Sequence, residues 1–168
     1  MVNMDESLAF STGYLTGRET SIWELRRNRL NQSEIGRQLG ITRQAVHKAL
    51  GIIDSKVERA LVEASETNRL EVMSLDLVEG IMVAYSPAYQ IPVIVSLSRT
   101  NGLKVWHLYE GDCANCSYER SCRKMLLAEA EERGVELEGE DRKMPPTHLA
   151  LKIFSRYLTE EHIVDQKE

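Results

Sequence analysis

The spacing of apolar positions divides this chain into a helical first half and an extended second half. Thr16-Gly17-Arg18-Glu19 has an N-capping residue followed three later by Glu, the spacing of a capping box. The run Ile22-Trp23-Glu24-Leu25 then predicts an amphipathic helix ending near Leu30. Asn31-Gln32-Ser33-Glu34 repeats the cap-plus-Glu spacing and opens a second, short helix that stops at Leu39-Gly40, where glycine can adopt the left-handed closing conformation. Thr42 caps a third helix through Arg43, Gln44, Ala45, Val46, His47 and Lys48. From Leu50 to about Leu70, Leu50, Ile53, Val57, Ala60, Leu61 and Ala64 recur at three- and four-residue intervals and predict a linking helix.

After Ser74 the pattern becomes extended. Leu77 to Tyr85 reads as a strand closed by Ser86-Pro87, and Pro92 to Ser98 as a second. Asn101-Gly102 is a hairpin-turn signal, and Leu103 to Tyr109 is the third strand. Helices are expected from Arg123 to Arg133 and from Thr147 onward, where Leu149, Leu151, Ile153, Phe154 and Leu158 supply an apolar face. The acidic stretch from Glu136 to Lys143 reads as a surface loop. The expected fold class is therefore α+β: an N-terminal helix-turn-helix bundle, a long linking helix, and an antiparallel three-stranded sheet with helices. The corresponding division is a flexible tail over 1–13, a helical module over 14–50, a linking helix over 51–74 and a second domain over 75–168.

Composition narrows the class. Hydrophobic residues make up 42% of the 168 and charged residues 28%, as in ordinary soluble proteins. No apolar run approaches the roughly 18 residues that span a bilayer, and the opening Met1 to Glu6 lacks the basic and apolar regions of a signal peptide, so the expected compartment is the cytoplasm. The net charge is −5, but its distribution is uneven. Arg18, Arg26, Arg27, Arg29, Arg37, Arg43 and Lys48 crowd the first helices, whereas acidic clusters follow Leu126. A basic module on an acidic chain suits a DNA reader carrying a second domain.

The first three helices resemble the helix-turn-helix of bacterial and archaeal regulators. Gln32 opens the motif, Ile35 and Leu39 face the partner helix, and Gly36 allows close approach. Gly40 makes the turn, Ile41 lies beneath it, and Val46 with Ala49 completes the inner face. The stretch from Tyr14 to about Leu61 also resembles the Tfx family of archaeal regulators, through Leu15-Thr16, Gln32-Ser33-Glu34-Ile35-Gly36 and Gly40-Ile41-Thr42-Arg43-Gln44-Ala45-Val46. The resemblance implies a recognition helix presenting Thr42, Arg43, Gln44, His47 and Lys48 to the major groove of double-stranded operator DNA. Gln44 suits an adenine edge, and Arg43 or Lys48 a guanine or a phosphate. Arg26, Arg27 and Arg37 are candidate backbone contacts. The seam of Leu50, Val57 and Ala64 predicts a homodimer; the alternative is that it packs on the chain's own second domain.

All the cysteines lie in Cys113-Ala114-Asn115-Cys116-Ser117-Tyr118-Glu119-Arg120-Ser121-Cys122. Two thiolates two residues apart can chelate one metal, and the third can close on it. The spacing resembles the iron–sulfur staple of CRISPR-associated and recombination-type nucleases, which implies a 4Fe–4S cluster. That staple has a fourth cysteine, absent here, so the fourth ligand would be His107, Asp112, His148 or an exogenous molecule. A Cys₃His zinc site is the alternative, and three cysteines without a metal remain open. No phosphate loop, nucleophile motif or HExxH helix is present, and the acidic residues around Glu129 and Glu136 read as a solvated helix face. The expected protein is a DNA-binding regulator, not an enzyme, whose second domain carries an iron–sulfur centre that senses redox state; the alternatives are a structural zinc site or a small-molecule sensor without metal.

Overall fold

The computed structural model describes residues 13–159, so all but Gly13 of the expected N-terminal tail lies outside them. The chain is α+β, with five α-helices and one four-stranded antiparallel sheet among the described residues. Helices α1 (Gly17–Arg27), α2 (Gln32–Leu39) and α3 (Arg43–Thr67) come first. Strands β1 (Glu71–Asp76), β2 (Ile81–Ser86), β3 (Ile91–Ser98) and β4 (Gly102–His107) pair in sequence order. Helices α4 (Glu119–Glu132) and α5 (Pro146–Phe154) close the fold. Among the described residues no helix is long and apolar enough to cross a membrane.

The helix starts follow from local hydrogen bonding. Thr16 and Asn31 both form complete capping boxes, with Glu19 and Glu34 reaching back to the cap backbone. Thr42 accepts from the Ala45 N–H at 3.1 Å and starts α3, whose first turn carries no acidic residue. Gly40 closes α2 at φ 66°, a left-handed conformation that a side chain would strain. Gly36 is needed for a different reason: a Cβ there would sit 2.7 Å from the Ile41 carbonyl oxygen, so the turn can fold against α2 only because the atom is missing.

Three expectations are corrected. The third helix and the linking helix are one 25-residue helix, because Gly51 lies within α3 without breaking it. The boundaries expected at 50 and 74 therefore fall inside α3 and inside β1. The sheet has four strands: β1 was hidden because a register shift between Val72 and Ser74 interrupts its alternation, and because this edge strand is largely exposed. The strand expected from Leu77 begins only at Ile81. Residues 77–80 form a turn, with the Asp76 carboxylate accepting from the Val78 and Glu79 N–H groups at 3.0 Å.

The sheet is covered on both faces. One apolar core joins Leu15, Ile22 and Trp23 of the N-terminal region, the inner face of α3, and Met82, Ala84, Val93, Val95 and Leu97 of the sheet. The opposite face carries Ile81, Val83 and Ile94, packed with Leu126 and Ala130 of α4 and Leu149, Ile153 and Phe154 of α5. This explains the unbroken apolar run of β2, since alternation is lost when both faces are buried. It also decides the use of the α3 seam. Leu50, Ile53, Val57, Ala60, Leu61 and Ala64 are all buried within the chain, so this stripe packs on the protein's own sheet and is not available to a coiled coil.

Candidate nucleic-acid interface and cysteine cleft

Two groups of side chains invite a functional reading, and they lie on different elements. The first is the start of α3. Thr42, Arg43, Gln44, His47 and Lys48 are all exposed, while Val46 and Leu50 turn inward. Arg37 on α2 is exposed as well. Among the described residues Arg37, Arg43 and Lys48 have no ion-pair partner. The His47 ring is held by the Gln32 side chain at 3.3 Å between Nε2 and Nδ1, a positioning contact the sequence did not signal. The Thr42 hydroxyl is engaged in the cap.

The other two expected phosphate contacts are turned to structural use. Arg26 pairs with Asp54 of α3 at 2.6 Å. Arg27 is more deeply committed: its side chain is 5% exposed, it reaches Glu132 of α4 at 3.0 Å, and its guanidinium lies 4.4 Å over the Trp23 ring. Trp23 in turn donates to the Leu77 carbonyl at 3.0 Å. Lys56 pairs with Glu19 at 2.8 Å and adds a second bond between α1 and α3. The Glu19 carboxyl is held below the usual range; burial opposes this, but the Lys56 ammonium and the Thr16 backbone N–H outweigh it.

Glu129, expected on a solvated face, is fully buried, and Glu132 is nearly so. Glu129 pairs with Arg133 at 2.9 Å and accepts from Ser96 at 3.3 Å and from Asn101 at 3.1 Å. Arg133 also donates to the Leu97 carbonyl at 3.2 Å. The one readable hint was the i,i+4 spacing of Glu129 and Arg133 next to Leu126 and Ala130.

The second group is the cysteine cleft between the loop after β4 and the first turn of α4. Cys113, Cys116, Glu119, Arg120, Arg123, Lys143 and Pro145 line it. Tight turns shape the loop: Cys116 N–H donates to the Cys113 carbonyl at 3.2 Å, and Glu119 N–H to the Cys116 carbonyl at 3.2 Å. Cys116 is exposed, while Cys113 and Cys122 are half-buried, and all three are free thiols. Cys113 Sγ lies 3.7 Å from the Thr147 hydroxyl at the start of α5. Burial pushes the Cys122 thiol above its usual pKa, helped by the nearby Cys116 and Cys113 and by Glu119. Arg123 ties this turn down: it pairs with Glu119 and donates to the carbonyls of Arg142 at 2.8 Å and Met144 at 2.5 Å.

The candidate fourth ligands each have other neighbours or face solvent. His107 packs edge-on against Tyr89, with ring centroids 5.6 Å apart, and lines a separate cleft with Ile91 and Tyr109. Its neighbours Trp106 and Leu108 belong to the core on the other face, as the alternation in the sequence predicted. Asp112 turns to Asn115, whose side-chain amide donates to it at 2.7 Å. His148 is exposed on α5. Among the described residues no three His, Cys, Asp or Glu side chains converge closely enough to hold a metal.

Comparison of the chain with protein-family models, with curated proteins and with solved structures finds no match.

Proposed function

We propose that the chain is a sequence-specific DNA-binding transcriptional regulator, with α2 and α3 as its helix-turn-helix and the cysteine cleft as a metal centre. The observation that carries the first half is the start of α3. Its exposed face bears Arg43, Gln44, His47 and Lys48, with Arg37 alongside on α2, and no acid lies in its first turn. Unpaired cations and free helix N–H groups favour a phosphate backbone, and Gln44 and Arg43 have the side chains that read purine edges. The resemblance to Tfx regulators points the same way. Such a protein works in the cytoplasm on double-stranded operator DNA. With the α3 seam buried in the chain, a homodimer would form through another surface, and a palindromic target would reveal it.

Selection from random-sequence duplexes tests this reading. Recovery of one defined site, whose binding is lost with Arg43→Ala and Gln44→Ala in a folded protein, is the expected result. Equal recovery of all sequences would leave only a cationic surface.

The second half rests on the donor set. Three thiols lie within ten residues, and two of them, Cys113 and Cys116, line a cleft with Arg120, Arg123 and Lys143, cations that suit an anionic thiolate-held centre. Cys113, Cys116 and Cys122 would hold it. An iron–sulfur cluster is the first assignment, and it would supply redox sensitivity. Structural zinc is the second. Metal and acid-labile sulfide analysis of protein purified without oxygen separates them: iron with sulfide supports the cluster, and zinc alone makes the cysteines a staple.

A further inference from the structure

Two of the three cysteines share a setting that the third does not. Cys113 and Cys116 both line the cleft with Arg120, Arg123 and Lys143, and Cys122 is not among its walls. The Cys116 N–H donates to the Cys113 carbonyl at 3.2 Å and closes a four-residue turn. Such a turn holds its first and fourth Cα atoms within about 7 Å, and a disulfide spans Cα atoms about 4.4–6.8 Å apart. The backbone therefore brings these two residues, on one cleft, into the range that a bond between their sulfurs requires.

The two sulfurs differ in access. Cys116 is exposed, whereas Cys113 is half-buried and its thiol donates to the Thr147 hydroxyl at 3.7 Å. Cys116 is thus the sulfur that an incoming molecule meets first. The charge beside it is selective as well. Glu119 lines the cleft but is paired with Arg123, whose other donors go to the carbonyls of Arg142 and Met144. Arg120 and Lys143 are exposed and, among the described residues, have no ion-pair partner. Two uncompensated cations therefore stand at the thiols, and a cleft of one sign draws in molecules of the opposite sign.

We propose that Cys113 and Cys116 form a reversible dithiol–disulfide pair that is oxidised by anionic low-molecular-weight disulfides. The inference goes beyond the metal assignment and does not rest on it, because the bond forms in the metal-free chain. Metal and disulfide exclude each other, since they use the same two sulfurs. In the first step Cys116 gives up its proton and attacks one sulfur of a disulfide bearing carboxylates, which Arg120 and Lys143 attract. A mixed disulfide forms on Cys116, and half of the reagent leaves as a thiolate that takes up the proton. Cys113 then gives up its proton and attacks the Cys116 sulfur, and the other half leaves as a second thiol. The protein loses two electrons and two protons, and the reagent gains both. Excess small thiol drives the same steps backwards, so the pair follows the state of the surrounding thiol pool. Cys122, outside the cleft, keeps its thiol.

The test uses the full chain, reduced and metal-free, treated with oxidised glutathione, which is net anionic, or with cystamine, a cationic disulfide. Peptide mapping by mass spectrometry should find a Cys113–Cys116 bond and a free Cys122 in the wild type, and the same bond in Cys122→Ser. Cys113→Ser should stop at the mixed disulfide on Cys116. Rates are taken relative to the same reagents acting on a short uncharged cysteine peptide. On that scale the wild type should favour oxidised glutathione over cystamine by about ten-fold, the low end of what charged clefts achieve. Arg120→Gln/Lys143→Gln, at two exposed positions, should bring the preference to within about two-fold. A mixed disulfide that persists in the wild type, or a bond that takes in Cys122, overturns the pair. Equal relative rates with both reagents, or a preference unchanged in the double variant, overturn the selection of anionic disulfides. All of these readouts are made without metal, so the iron, zinc and sulfide analysis decides the metal centre separately.

Discussion

Arginines meet opposite fates in two regions of this molecule. At the start of α3, Arg43 projects into solvent without an ion-pair partner, as does Arg37 on the adjacent helix. At the end of α4, the Arg133 side chain is fully buried and fastened to Glu129 and two backbone carbonyls. Arg27 stands between, buried but only partly satisfied. A cation's role here follows from the acids that tertiary packing brings to it. Where no acid is near, the charge is available to a partner; where one is buried beside it, the pair becomes part of the scaffold.

Arg133→Met tests this contrast most severely. It leaves the Glu129 carboxylate buried without its counter-ion, and loss of one member of a buried pair costs about 3–5 kcal/mol. Thermal melts should show a large fall in Tm, and a change near zero would mean that the pair is solvated. Next in size is Leu61→Ala on the buried face of α3. Removing a fully buried leucine costs about 2–5 kcal/mol, so stability should fall at every protein concentration. A loss that disappears as concentration rises would instead return the seam to a dimer interface.

At the exposed end, Arg43→Ala should weaken specific DNA binding by about 1–3 kcal/mol while leaving stability within about 0.5 kcal/mol. Parallel binding curves and melts check this. A large drop in Tm would place Arg43 with the scaffold arginines. The smallest effect is expected from Gly51→Ala. The position is exposed within α3, and a Cβ added there would meet open space, so the change should stabilise by about 0.5–1 kcal/mol. Destabilisation would show that the helix needs flexibility between its exposed first turns and its sheet-packed part.

Much of the local structure was legible because its causes are local. Thr16–Glu19 and Asn31–Glu34 announce their helices through hydrogen bonds spanning three residues, and Gly40 announces its turn through a backbone angle. The exposed residues of α3 were also readable, since the inward positions of Val46 and Leu50 fix the opposite face. The cysteines were visible as a cluster, but the surroundings of His107 were not: it lies six residues before Cys113 and faces a cleft with Tyr89, Ile91 and Tyr109. β1 escaped notice because its bulge breaks the alternation by which an edge strand is recognised.

Local sequence is enough to set where the first helices begin, which residues α3 shows to solvent, and that three thiols share one short segment. These depend on interactions between residues a few positions apart, whose geometry is set by the backbone. Packing of the whole chain was needed to cover the α3 seam with the protein's own sheet, to bury Glu129, and to bring Arg27 to Glu132 across 105 positions. An apolar stripe specifies that it must be covered and not by what, and a charged side chain specifies its charge and not its counter-ion. Both choices are made when the sheet, with a helix layer on each face, brings distant segments together.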